Sequence, residues 1–344
     1  MRSVIDVLDL SVEELDEIIA TAEDIMENPQ KYSDMCRGKQ LVTMFFEPST
    51  RTRLSFESAM YSLGGNVLSV TDAASSSVTK GETVADTAKT VSQYADIIAI
   101  RHPKEGAALV AAQSGSIPVI NAGDGGHCHP TQTLSDLLTI HREKGKFDGL
   151  TVGFCGDLKY GRTVHSLINA LSRYSDIKYV LISPNELRLP EYIKKEVIEA
   201  GGFEYAETAS LEEALPTLDI IYMTRIQGER FDDKSEYERL KDSFILDSEK
   251  MKLANRCCSV LHPLPRVNKI SVDVDEDPRA CYFKQVKNGK YMRMALILKL
   301  LFENKGEEEA KEYIYDKKCT NPRCITSVER GITHKFIRNK DNSC

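Results

Sequence analysis

No apolar run in this chain of 344 residues approaches the roughly 20 residues that a membrane-spanning helix needs. Residues 1–10 mix charges with short apolar pieces and lack the apolar core of a signal peptide. Positive charge is in deficit: 45 Lys and Arg stand against 52 Asp and Glu, a net charge of -7. Such a balance gives no basic surface to favour nucleic acid. Internal repeats and low-complexity tracts are absent, and so is a Walker pattern. Gly153, Gly156 and Gly161 miss the Gly-x-Gly-x-x-Gly spacing, which argues against a dinucleotide fingerprint. Nothing reads as a covalent nucleophile: Cys128 adjoins His129, but no feature positions it as a thiolate. Most of the nine cysteines are scattered. Cys36, Cys155 and Cys281 read as small core residues, and the adjacent Cys257 and Cys258 cannot easily pair with each other. This is reduced, cytoplasmic usage.

What the chain does have is alternation. Hydrophobic residues make up 41%, enough for sizeable cores, and the length suggests about two domains. Short apolar runs occur at 41–46, 67–70, 96–100, 117–120, 151–155, 178–182, 219–223 and 258–261. Helical periodicity fills segments between them, as in 81–94 and 162–171. That alternation predicts parallel sheets covered by helices. Eight strands fit either one barrel or two open sheets. Residues 129–146 read as a long helix bridging two halves, and 291–302 as a last amphipathic helix. After Gly306 the composition turns charged and polar, so an appendage starts there.

The most informative stretch is Phe45 to Glu57. An apolar strand runs into a polar turn, and a helix starts at the run Ser49-Thr50-Arg51-Thr52. Hydroxyls, a guanidinium and unpaired backbone N–H groups converge at the positive end of the helix dipole, which suits a phosphate dianion. An ordinary N-cap needs one such residue, not this cluster. Phe56, Ala59, Met60 and Leu63 give that helix an apolar face, and Gly64-Gly65 stops it. Five further clusters follow predicted strands: 101–103, 121–129, 157–162, 224–227 and 262–266. In open parallel sheets ligands sit beyond the carboxyl ends of strands. Six basic or hydrogen-bonding clusters at such places in one acidic chain point to a site for an anionic substrate.

Taken together these clusters resemble the aspartate carbamoyltransferases over about residues 1–305. The motifs, in order, are Phe-Glu-Pro-Ser-Thr-Arg-Thr-Arg at 46–53, Lys-Gly-Glu-Thr at 80–83 and Arg-His-Pro at 101–103. Asn-Ala-Gly-Asp-Gly at 121–125, His-Pro-Thr-Gln-Thr-Leu at 129–134 and Gly-Asp-Leu-Lys-Tyr-Gly-Arg-Thr-Val-His-Ser at 156–166 follow. Met-Thr-Arg-Ile-Gln at 223–227 and His-Pro-Leu-Pro-Arg at 262–266 complete the set. The resemblance implies an α/β fold of two doubly wound parallel-sheet domains joined by a long helix, plus a small C-terminal appendage. Residues 1–130 with 287–305 would bind carbamoyl phosphate, 131–146 would be the bridging helix, and 147–286 would bind aspartate. The implied reaction is an early step of pyrimidine biosynthesis: carbamoyl transfer to the aspartate amine, with release of phosphate.

By the same resemblance Ser49, Thr50, Arg51 and Thr52 hold the phosphate, and Thr52, Arg101 and His129 polarise the carbonyl. Gln132 with the Pro263 and Leu264 region receives the carbamoyl amine. Arg162, Arg225 and Gln227 hold the aspartate carboxylates, where bidentate pairing favours arginine over lysine. Ser76 and Lys80 belong to a loop that, in the family, reaches a neighbouring subunit's site, which implies a homotrimer with shared sites. Ser76 is favoured over Ser77 by counting back from Lys80. Arg51, Thr52, Lys80, Arg101 and His129 form the implied catalytic set, and the chemistry needs no cofactor. Arg53 and Arg266 are expected to pair with carboxylates that fix the site, with Glu47 a partner for such an arginine. His127 reads as a loop residue. The alternatives are ornithine carbamoyltransferase, which shares the phosphate cradle, and a non-catalytic scaffold homologue. Arg162, Arg225, Gln227 and Lys80 favour the aspartate branch.

Residues 306–344 fall outside this match. Cys319-Thr-Asn-Pro-Arg-Cys324 resembles the start of the zinc domain in the family's separate regulatory chain. Cys319, Cys324 and Cys344 would be three of four thiolate ligands of a structural zinc. A remnant without metal, a regulatory chain as partner and a higher assembly are the accompanying expectations for this tail.

Overall fold

A computed structural model describes residues 2–70, 77–226, 234–240, 244–303, 317–329, 331–334 and 336. The chain divides into two compact units, Met1–Thr131 with Lys290–Cys344, and Gln132–Gly289. The chain passes between them inside helix Pro130–Lys144 and again inside helix Tyr282–Phe302.

In the first unit four parallel strands form one sheet: β1 (Gln40–Phe45), β2 (Asn66–Val70), β3 (Ile97–His102) and β4 (Val119–Asp124), in the order β2-β1-β3-β4. The central strands read as near-continuous apolar runs because both faces are covered. Val42, Met44, Ile98 and Ile100 pack against Val84, Ala88, Ala107, Ala108 and Ala111 of two flanking helices. Helix Thr50–Ser62 buries Phe56, Ala59 and Met60 fully, the face that the spacing predicts. Gly64, at φ +79, then ends it.

In the second unit five parallel strands form the other sheet: β5 (Thr151–Cys155), β6 (Lys178–Ile182), β7 (Glu204–Thr208), β8 (Ile220–Met223) and β9 (Ser259–Leu261). Their order is β7-β6-β5-β8-β9. Cys155, Ile182, Leu215, Ile221, Met223, Val260 and Tyr282 lie in its core. Two open sheets, not a barrel, therefore carry the strands. Cys36, Cys155 and Cys281 are buried free thiols, as small core residues should be, and burial pushes Cys36 and Cys281 up to about 11. Among the described residues no helix is long and apolar enough to cross a membrane.

Each strand order reverses direction once. In the first sheet that happens between β1 and β3, in the second between β5 and β8. Crossovers leave these two strand pairs in opposite senses, so a crevice opens beyond their carboxyl ends. The clusters at 49–53 and 101–103 stand at the carboxyl ends of β1 and β3, and those at 157–162 and 224–226 at the carboxyl ends of β5 and β8.

Candidate active site

At the first reversal, the turn after β1 leads into helix Thr50–Ser62. Ser49 occupies the N-cap position, but its side chain makes no capping bond to the first turn. The hydroxyl and the first-turn amides thus are not consumed by each other, as an anion cradle requires. Thr52 is buried on the same turn, while Thr50 and Arg51 are exposed. Arg53 turns away and pairs with Glu57 at 3.1 Å, one turn along the helix. Glu57 also accepts from Thr43 and Ser69, which ties the helix start to β1 and β2.

Arg101 is the penultimate residue of β3, with its side chain only 11% exposed. Its Nη2 lies 2.9 Å from Glu47 Oε2, and its Nη1 donates to the Ala122 carbonyl at 3.3 Å. Nη1 also lies 3.3 Å from His129 Nε2. A guanidinium can only donate, so Nε2 accepts and the neutral ring carries its proton on Nδ1. Burial works against the Arg101 cation, Glu47 works for it, and Arg51 is close enough to repel it. Two guanidiniums held near each other with one carboxylate leave a net positive spot. Lys80 is exposed at the end of the short turn Ser77–Lys80 and is not among the bonding partners of Arg101.

Sequence reasoning missed what lets Arg101 lie there. Gly123 has φ +120, and a Cβ on it would fall 2.9 Å from Arg101 Nη1 and 3.4 Å from His129 Cδ2. The following turn is held by a buried network. Asn121 Nδ2 donates to Asp124 Oδ1 at 2.9 Å, and its Oδ1 accepts from Gly123 N at 2.8 Å. Asp124 also accepts from Gly106 N at 2.9 Å and lies 3.2 Å from His127 Nδ1. His127 is therefore more than a loop residue: the bond to Asp124 raises it to about 9. The signal was the Asn-Ala-Gly-Asp-Gly run itself, since Asn and Asp at such spacing bond locally to a turn.

At the second reversal Thr224 joins two strand ends. Its N donates to the Cys155 carbonyl at 2.8 Å, and its Oγ1 accepts from Asp157 N at 2.9 Å. Gly156, at φ +117, allows this, because a Cβ there would meet Thr224 at 2.6 Å. Asp157 then accepts from Tyr160 N at 2.9 Å and shapes the turn that leads to Arg162. Arg162 opens helix Arg162–Leu171 and Arg225 follows Thr224, so the two arginines stand beyond adjacent strands. Both are partly exposed.

Also in the second unit, Gln132 Nε2 donates to Asp136 Oδ1 at 2.8 Å. Asp136 is fully buried and accepts from Tyr222 OH at 3.0 Å and from Gln285 Nε2 at 2.5 Å. Gln285 in turn accepts from His262 N at 3.0 Å. This hub connects Gln132 to the segment that carries Pro263 and Leu264, both partly exposed. Leu264 sits at φ +53, and its N donates to His262 Nδ1 at 2.7 Å. The i to i+4 spacing of Gln132 and Asp136 was the readable signal. Arg266 pairs bidentately with Asp275, while Glu47 serves Arg101 and not Arg53.

Ser76, Gln227 and Cys344 lie outside the described residues, and so does the side chain of Ser77. Cys319 and Cys324 are partly exposed free thiols. Among the described residues no third His, Cys or carboxylate joins them at ligand distance; the one such group is Asp6, His127 and Cys128. The described tail supplies two sulfurs, short of a tetrahedral site.

Two family models match nearly the whole chain up to residue 300. Residues 2–142 match the aspartate/ornithine carbamoyltransferase carbamoyl-P binding domain, and residues 148–300 match the Asp/Orn binding domain. The aspartate carbamoyltransferase catalytic subunit of Lachnoclostridium phytofermentans is 61% identical over 301 residues, 88% of this chain and 98% of that one. The solved catalytic subunit of M. jannaschii aspartate transcarbamoylase is 48% identical with a TM-score of 0.82, covering 88% of this chain and 98% of the other. The Trypanosoma cruzi aspartate transcarbamoylase in complex with carbamoyl phosphate and aspartate is 37% identical with a TM-score of 0.83, covering 88% and 97%. The chain belongs to the aspartate/ornithine carbamoyltransferase family, among the aspartate carbamoyltransferase catalytic subunits.

Proposed function

We infer that this enzyme transfers the carbamoyl group of carbamoyl phosphate to the amine of L-aspartate, giving N-carbamoyl-L-aspartate and phosphate. The observation that carries the reading is the arrangement at the two sheet reversals. An uncapped helix start with Arg51, Arg101 and His129 occupies one, and Arg162 with Arg225 occupies the other. The first unit is assigned to carbamoyl phosphate and the second to aspartate.

The amine nitrogen attacks the carbonyl carbon, a C–N bond forms, and the bond from that carbon to the bridging phosphate oxygen breaks, its electron pair leaving with phosphate. The amine proton leaves in the same sequence, to the departing phosphate or to a base. Ser49, Thr50, Arg51 and Thr52 hold the phosphate through hydroxyls, amides and a guanidinium. Arg101, Thr52 and the Nδ1–H of His129 donate toward the carbonyl oxygen, where negative charge develops. The Arg101 to His129 bond supports the donor role, since the ring cannot accept a proton at Nε2 while Arg101 occupies it. Gln132, with the Pro263 and Leu264 region, takes the carbamoyl amine. Arg162, Arg225 and Gln227 clamp the two carboxylates of aspartate, and this pairing orients the amine for attack. The chemistry calls on no cofactor.

Lys80 and Ser76 are proposed to complete the site of a neighbouring copy in a homotrimer, as part of cytoplasmic pyrimidine synthesis. For the tail, Cys319, Cys324 and Cys344 are proposed as zinc thiolates, supported by the Cys-x4-Cys spacing. Metal analysis of the purified chain tests this, and less than about a tenth of an equivalent of zinc would refute it. The reaction itself is tested by supplying carbamoyl phosphate with aspartate or with ornithine. Turnover with aspartate alone is expected. Turnover only with ornithine would reassign the acceptor, and none with either would favour a scaffold.

A further inference from the structure

The family models stop at residue 300, and no residue of the tail is assigned to a substrate in the proposed reaction. The tail nevertheless builds into the first unit. Ile325 is 2% exposed and packs in the core with Val84, Ala88, Ala107 and Ala111. Its backbone pairs with Glu105: Glu105 N donates to the Arg323 carbonyl at 3.0 Å, and Ile325 N donates to the Glu105 carbonyl at 2.8 Å. Asn321 Nδ2 donates to Glu105 Oε2 at 2.7 Å, and Lys104 Nζ donates to the Pro322 carbonyl at 3.0 Å.

The short helical turn Ile325–Ser327 then carries Glu329 to the start of helix Val84–Val91. Val84 N donates to Glu329 Oε1 at 2.8 Å. Thr83 caps the same helix by accepting from Asp86 N at 3.1 Å, so two of its first amides are satisfied by two different segments. A carboxylate at a helix N-terminus also meets the positive end of the dipole. Val84 is only four positions beyond Lys80, and Gly81 between them has φ +89 with open space around it. Beyond Lys80 the chain is held within its own helix by Glu82, which accepts from Thr87 Oγ1 at 3.1 Å, and by the Thr83 cap, while Glu329 adds a hold from a distant segment at Val84.

We propose that residues 321–329 form a strap that fixes the start of helix Val84–Val91 and thereby sets the position of Lys80, with Glu329 as a positioning residue for carbamoyl transfer. This rests on the reading of Lys80 as a substrate-contacting group. A loop held at one end samples fewer conformations, so less order has to be imposed when substrate binds. Glu329 touches no reacting atom; it acts through the Val84 amide.

The test uses the full-length chain with Glu329→Ala, Glu329→Gln, Lys80→Ala and the double variant Glu329→Ala with Lys80→Ala. Hydrogen exchange of the peptide covering 77–91 and the kinetics with carbamoyl phosphate are read in parallel. Losing one hydrogen bond of this type should speed exchange and lower kcat/KM by about 5- to 10-fold each in Glu329→Ala. Glu329→Gln, whose amide oxygen can still accept, should recover most of both. In the Lys80→Ala background, Glu329→Ala should cause no further kinetic loss. Unchanged exchange at 77–91 in Glu329→Ala would overturn the strap, and so would a kinetic loss that simply multiplies with that of Lys80→Ala. A Lys80→Ala enzyme with normal turnover would instead refute the role of Lys80, and the exchange arm would still decide the strap. Should Glu329→Ala fail to fold, Ile325→Ala loosens the same strap from its core seat and carries the same expectations.

Discussion

Arg225 and His102 show how differently two partly buried basic side chains behave at a strand end. Arg225 stands beyond β8, partly exposed, and is proposed to form a bidentate pair with an aspartate carboxylate. Arg225→Ala should raise the aspartate KM by about 10-fold or more, from loss of a charge-assisted pair, and leave carbamoyl phosphate binding nearly unchanged. Binding of each substrate followed separately checks this, and equal damage to both would place Arg225 elsewhere. His102, one residue past Arg101, packs edge-on against Phe46 and accepts from Lys104 N at 3.0 Å. Burial lowers it from 6.5 to about 4. The unfolded chain therefore takes up a proton below pH 6.5 that the folded chain refuses until about pH 4. Its contribution to stability is complete above pH 6.5 and falls as pH drops through that window, by roughly 3 kcal/mol. Denaturant titrations should show this slope in the wild type and a flatter one in His102→Asn, which retains an acceptor for Lys104 N.

Among the elements, the end of β4 places the most demanding constraint on the site. Gly123 adopts a φ closed to other residues, and its missing Cβ is the space that Arg101 fills. Gly123→Ala should cost about 1–3 kcal/mol in stability through backbone strain. The larger effect should be on turnover, because displacing the guanidinium also removes its bond to His129. A fall in kcat of at least about 100-fold, comparable to loss of an oxyanion donor, with carbamoyl phosphate still bound, is expected. A stable variant with normal kcat would show that Arg101 need not lie against β4. Elements also differ in how far they could be read. Helix Arg162–Leu171 has the bounds that its periodicity predicts, because its apolar stripe faces one core. Strand β7 was missed: Glu204 to Glu207 are all exposed at a sheet edge, so no buried face imposes an alternation there. The last helix begins at Tyr282 and not at 291. Its early turns bury Gln285 and Asn288 through hydrogen bonds to Asp136 and Thr139, partners about 149 positions away. Hydrophobic periodicity cannot register polar side chains buried in that way.

For the whole molecule, the proposed sharing of sites between copies predicts complementation. Arg51→Ala disables the phosphate cradle of its own chain, while Lys80→Ala disables what that chain lends to a neighbour. Mixed trimers should contain some sites with both residues intact. Unfolding and refolding the two impaired variants together should restore more activity than either shows alone. A mixture no more active than its parents after reassembly, confirmed by size, would refute the shared site.

The sequence by itself determined the local chemistry. Its apolar runs marked eight of the nine strands among the described residues, the Ser-Thr-Arg-Thr run marked a helix start suited to phosphate, and the polar clusters lay at strand ends, those at 101–103 and 121–129 starting inside β3 and β4. These signals are local because a strand's burial, a helix's stripe and a turn's residues act over a few positions. Only the tertiary structure decided the strand orders β2-β1-β3-β4 and β7-β6-β5-β8-β9, and with them which clusters flank the two reversals. Parallel pairing is made by backbone hydrogen bonds between distant segments, and buried apolar strands can exchange neighbours without changing their side-chain pattern. The partners of the charges were decided in the same way: Glu47 with Arg101, Asp124 with His127, and Glu329 with the Val84 amide. A carboxylate's residue type says that it will seek a donor; only the fold brings one donor within reach.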